Sequence, residues 1–175
     1  MQEKLNPESE IIQKFSELRQ AVHLQIDREL AERVKNNPVP TSGESNLGLF
    51  VERLEPQVRD ALMDLNQKGY HTMSSGFDPE NPQEQVICFY HEEQLSSENK
   101  KAIEQLGAKI ETQPFRDGRG NYWEISFKAA TPDLDAIKST WDKITSLMPP
   151  TNHKPWRSKM AEVFEKKFPH INPNK

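Results

Sequence analysis

Residues 108–129 read AKIETQPFRDGRGNYWEISFKA. Two runs of strand composition flank the dipeptide Asp117-Gly118, a strong short-range hairpin signal because its backbone tolerates the positive φ of a tight turn. In the second run Trp123, Ile125 and Phe127 alternate with Tyr122, Glu124, Ser126 and Lys128. That period of two belongs to a strand with one buried face, here the Trp/Ile/Phe side. The last two strands of the domain are therefore neighbours and antiparallel, and the other elements have to be arranged around them.

Upstream, SSENKKAIEQLG (96–107) predicts a helix capped by Ser96 or Ser97 and stopped by Gly107. QVICFYH (85–91) is apolar on both faces and predicts a central strand. GFDPENPQE is a loop, YHTMSS (70–75) a strand, and LEPQVRDALMDLNQKG (54–69) a helix with Pro56 in its first turn. Downstream, TPDLDAIKSTWDKITSLM (131–148) predicts a helix with Thr131 as cap and Leu134, Ile137, Trp141, Ile144 and Met148 on one stripe.

The order α-β-β-α-β-β-α matches a ferredoxin-like βαββαβ unit rotated so that its first strand comes last, αββαββ. The fold class expected is thus α+β: a two-layer sandwich of a four-stranded, mainly antiparallel sheet with helices on one face.

Two amphipathic additions frame this domain of residues 49–148. Ile11, Phe15, Leu18, Val22, Ile26, Leu30 and Val34 form one apolar stripe through residues 1–35, on a helix of roughly 25 residues, about 37 Å long. Residues 36–48 are rich in Pro, Ser, Gly and Asn and predict a linker. After Pro149-Pro150, residues 149–175 predict a short basic helix and tail with Trp156, Met160, Val163, Phe164 and Phe168 apolar.

Charge bounds the partners. The chain of 175 residues carries a net charge of -4, which speaks against general binding of nucleic acid or anionic membrane. Residues 47–148 hold 11 basic and 17 acidic side chains, net -6, while residues from 149 onward hold six Lys/Arg and two Glu, net +4. One cysteine, Cys88, leaves no internal disulfide and no CxxC zinc spacing. With a polar N-terminus and no apolar run of about 18 residues, the expectation is a soluble cytoplasmic protein.

Strand alternation nominates the surface where function belongs. If the first two strands pair as a simple hairpin, Met73, Ile87 and Phe89 share the core face. Tyr70, Thr72, Ser74, Val86, Cys88 and Tyr90 then look the other way, alongside Tyr122 and Glu124. All three tyrosines fall on one open face, unless the register slips by one residue.

Catalytic constellations are weak by comparison. Ser74-Ser75-Gly76 lacks the leading glycine of a G-x-S-x-G elbow, and a proline-rich loop follows it instead of a helix. His71 and His91, with Asp78, Glu92 and Glu93 nearby, show no metal-ligand spacing. Cys88 has no electropositive neighbour in sequence to activate it. Arg116 and Arg119 flank a turn that could grip a phosphate or carboxylate but carry no Walker-type context. No catalytic residue, metal or cofactor is assigned.

Two expectations follow. The first is a non-enzymatic protein-interaction or self-association module, with Ile11, Phe15, Leu18, Val22 and Ile26 as the partner helix face. The second is a small-molecule-binding domain or enzyme on the open sheet face, using Tyr70, Tyr90, Tyr122 and Glu124, with Glu124 as candidate general base.

Overall fold

The computed structural model describes residues 6–36, 54–90, 95–115, 118 and 120–153. The expected linker, the C-terminal helix, His91 with Glu92 and Glu93, and the turn residues Arg116 and Arg119 lie outside the described residues.

Four helices and four strands follow in the order α1 (Pro7–Asn36), α2 (Pro56–Gln67), β1 (Thr72–Phe77), β2 (Glu84–Phe89), α3 (Ser97–Gln105), β3 (Ala108–Pro114), β4 (Asn121–Lys128) and α4 (Leu134–Ser146). The sheet runs β1-β2-β4-β3, and every neighbouring pair is antiparallel. The architecture is a two-layer α+β arrangement.

β3 lies antiparallel beside β4, as the sequence predicts, with Ile110 opposite Ile125 and Thr112 opposite Trp123. On the other side of β4, Ile87 faces Ile125 and Phe89 faces Trp123, and the Phe89 and Trp123 rings stack 4.1 Å apart. Ile87, Phe89, Trp123 and Ile125 meet Val58, Ala61, Leu62 and Leu65 of α2 and Ile137, Trp141 and Ile144 of α4 in one apolar cluster, with Ile110 packed against it. The two helices pack side by side, and α3 lies against β3. The Trp141 ring meets the edge of Phe127 at 4.9 Å.

The helix ends follow capping chemistry. Ser96 caps α3 by accepting the Asn99 N–H at 3.1 Å. The expected cap of α4 at Thr131 is corrected to Asp133, whose carboxylate accepts the N–H groups of Asp135 and Ala136. A short acidic side chain one residue before the helix reaches two unsatisfied donors, and its charge suits the helix N-terminus.

The stripe of α1 meets the chain's own core. Phe15, Val22 and Ile26 are buried members of the same cluster, and Ile11, Leu18 and Leu30 pack against it. Those three buried side chains are therefore not free surface. The helix is tied to the body through Glu55, which precedes α2. One carboxylate oxygen meets His23 Nε2 of α1 at 2.8 Å; the other accepts the Phe77 N–H at 2.9 Å and Gln57 Nε2 at 2.7 Å.

The first hairpin departs from simple alternation. Thr72 pairs with Phe89 but Ser74 pairs with Cys88, so one extra residue, Met73, bulges from β1. A bulge reverses the side-chain parity on its far side. Tyr70, expected on the open face, is instead 2% exposed in the core, edge-on to Phe89 at 5.9 Å, with its hydroxyl donating to the Pro149 carbonyl at 2.8 Å. Thr72 likewise stands opposite a core residue. Met73, expected inside, is only half-buried. The strand also runs further than expected, through Gly76 to Phe77, because Phe77 supplies another core side chain opposite Gln85.

Behind α4, residues 149–153 return as a strap over the α2–β1 corner. The Thr151 N–H donates to the Lys68 carbonyl at 2.7 Å, and the His153 ring lies 5.7 Å from that of His71. Gly69 at the corner has φ +90, and a Cβ there would collide with Thr151 Oγ1 and the His153 carbonyl.

Candidate functional site

Among the described residues the second face of the sheet carries no helix. The pairing registers place one row of side chains straight across it: Ser74 on β1, Cys88 on β2, Glu124 on β4 and Glu111 on β3. Ser74, Cys88 and Glu124 were expected on this face from alternation. Glu111 was not singled out, although the same period of two in AKIETQ places it there. Tyr122 stands beside the row, opposite Gln113, with its ring 5.3 Å from Phe115. Tyr90 lies one residue past β2 and is 44% exposed. Of the three tyrosines expected together, one lies on the face, one beyond a strand end and one in the core.

The backbone explains the closest contact in the row. Ala129 donates to the Gln83 carbonyl, so odd-numbered residues of β4 form the hydrogen-bonded pairs with β2. Cys88 and Glu124 consequently form a pair without mutual backbone bonds, in which side chains approach more closely. The Cys88 thiol donates to Glu124 Oε2 at 3.8 Å.

Burial pushes the Cys88 thiol up; a hydrogen bond with Ser74 opposes this, and the charge of Glu124 adds to it. The thiol is held neutral, the opposite of the activation a nucleophilic cysteine requires. Burial also raises the Glu124 carboxyl, with the charge of Glu111 next in importance. Two carboxylates directly opposite on one face repel each other, so this end of the row favours a proton or an approaching positive charge.

No group of His, Cys, Asp and Glu among the described residues is arranged to hold a metal ion. Two clefts among the described residues lie elsewhere. One of about 350 Å³ is lined by His23, Ile26, Asp27, Leu54, Glu55 and Ser75, where His23 and Glu55 already join α1 to α2. Another, of about 220 Å³, lies between the end of β4 and the start of α4. No helix among the described residues is long and apolar enough to cross a membrane.

The structural junction that sequence reasoning missed is Glu55. Its position before Pro56 suggests only a helix start, and its partners His23 and Phe77 lie 32 and 22 residues away. Comparison with known proteins returns no matching family model, no matching curated relative and no matching solved structure.

Proposed function

We propose that this chain is a non-enzymatic protein-interaction module that meets its partner through the sheet. The observation that carries the reading is the contrast between two surfaces. Phe15, Val22 and Ile26 of α1 are occupied by the chain's own core, whereas the row from Ser74 to Glu111 has no helix above it among the described residues. A mostly polar row with a neutral thiol at its centre suits recognition better than nucleophilic chemistry.

A photo-crosslinking residue placed singly at Ser74, Tyr122 or the exposed Leu24 of α1 tests this in the intact protein. Adducts with one defined protein, or with a second copy, from positions 74 and 122 but not 24 are expected. Adducts from position 24 alone, or from none of the three, overturn the reading.

A second reading is a small-molecule site or enzyme on the same face, with Glu124 as general base. The raised carboxyl of Glu124, half-buried beside Cys88, favours it. Its test is a thermal-shift ligand screen in which a hit for the parent is lost in Glu124→Gln and Tyr122→Phe; a screen without such a hit counts against it.

A further inference from the structure

The two edges of the sheet differ. On β1 the Met73 bulge interrupts the strand, and Glu55 occupies the outward N–H of Phe77. Both devices blunt an edge against further pairing. On β3 the register runs unbroken from Ala108 to Pro114, and among the described residues no strand lies beyond it.

Backbone parity defines what that edge offers. Phe115 donates to the Gly120 carbonyl at 2.9 Å. In the same register, odd-numbered residues of β3 point their N–H and C=O groups at β4 and even-numbered ones point them outward. Ala108, Ile110 and Thr112 therefore present donors and acceptors along the edge that are unpaired among the described residues. Pro114, which has no N–H, falls at the next outward position and ends the series.

We infer that this edge pairs with the same edge of a second copy, antiparallel and centred on Ile110, so that Lys109 of each chain faces Glu111 of the other. The inference goes beyond the sheet-face reading: it places a second copy at the β3 edge of the sheet and leaves the face itself free. In this register Ile110 exchanges both backbone bonds with the partner's Ile110, and Ala108 does so with the partner's Thr112. Lys109 and the partner's Glu111 form the closely spaced pairs between them, on the open face.

Charge selects this register over its neighbours. Centring on Glu111 would set Glu111 against the partner's Glu111, and like charges directly opposite are destabilising. Centring on Thr112 would bring Ile110 opposite the partner's Pro114, with a donor missing. The Ile110-centred register has neither defect. It also brings a lysine to Glu111, relieving the repulsion between Glu111 and Glu124. On the helix side it covers the half-exposed Ile110 and sets the partner's Pro114 level with Leu106, a large apolar side chain left 37% exposed.

Sedimentation equilibrium on the full chain, with charge exchange at two exposed positions, tests the register. The parent is expected to show a monomer–dimer equilibrium. Lys109→Glu and Glu111→Lys, each alone, put like charges opposite one another and weaken the dimer roughly tenfold. Mixing these two variants restores the parent dissociation constant, because both cross-strand pairs are again opposite in sign, and so does the double exchange within one chain. A parent that stays monomeric at every concentration overturns the inference while leaving the sheet-face reading to its crosslinking test. A dimer indifferent to the exchanges, or one not rescued by mixing, overturns the edge and register but retains self-association.

Discussion

Glu55 accepts the backbone N–H of Phe77 at 2.9 Å, so a side chain from the start of α2 closes the outer edge of β1. The same carboxylate also holds Gln57 and His23 and is only 12% exposed. Removing it strands several polar groups together. Glu55→Ala is expected to destabilise the fold by about 3 kcal/mol, and Glu55→Gln by less because one acceptor survives. Urea unfolding gives the difference. Faster hydrogen exchange at the Phe77 amide, relative to Ile87, locates it.

Gly76 sits against that carboxylate with φ +111, and a Cβ would run into the Glu55 side chain. Gly107 has φ +83 but open space around it. Gly107→Ala therefore bears only backbone strain, about 1 kcal/mol, whereas Gly76→Ala adds displacement of Glu55 and costs about 3 kcal/mol. Equal losses in thermal melts would show that Glu55 moves aside freely.

Tyr70 separates packing from hydrogen bonding. Its ring is buried against Phe89 and Trp123, and its hydroxyl reaches the Pro149 carbonyl. Tyr70→Phe should cost about 1 kcal/mol and Tyr70→Ala about 4 kcal/mol. A Phe variant as damaged as the Ala variant would mean that the strap at 149–153 depends on this hydroxyl.

The carboxyl of Glu124 is held above its ordinary range, first by burial and then by Glu111. The folded state binds this proton more tightly than the unfolded chain. Its contribution is present while the group is protonated and is lost as pH rises through the raised folded value. Glu124→Gln is therefore expected to be more stable than the parent at neutral pH, with the gap closing below the ordinary carboxylate range. Urea midpoints across pH read this directly; a gap that widens on acidification contradicts it.

Cys88 gives the companion measurement. Glu124 raises the thiol both through its charge and through the bond it accepts. Removing that charge in Glu124→Gln should shift the pH profile of iodoacetamide labelling toward lower pH. An unchanged profile would assign the thiol's behaviour to burial alone.

The parts of this fold legible in the sequence are those governed by unbroken periods. Trp123, Ile125 and Phe127 point inward and Tyr122, Glu124 and Ser126 outward because β4 alternates without interruption. Ile87 with Phe89, and Cys88 with Ser74, follow the same rule. Tyr70 and Thr72 were turned the wrong way by a bulge at Met73, which inserts one residue without any glycine or proline to announce it. The stripe of α1 was equally plain, since it needs only a spacing of three and four. Its destination was not, because the His23–Glu55 bond that ties it down joins residues 32 apart. Local pattern reports which side of an element is apolar; only tertiary contact decides what covers it.

The strap over the α2–β1 corner bears on the order in which the chain is made. The Tyr70 hydroxyl finds its acceptor 79 residues later, and the Lys68 carbonyl waits for Thr151. A nascent chain that has already formed α2, β1 and β2 on the ribosome still has this corner open, because the Pro149 carbonyl that accepts the Tyr70 hydroxyl is not yet made. The corner closes only when α4 and residues 149–151 have emerged, so the first half of the domain cannot complete its fold ahead of the second.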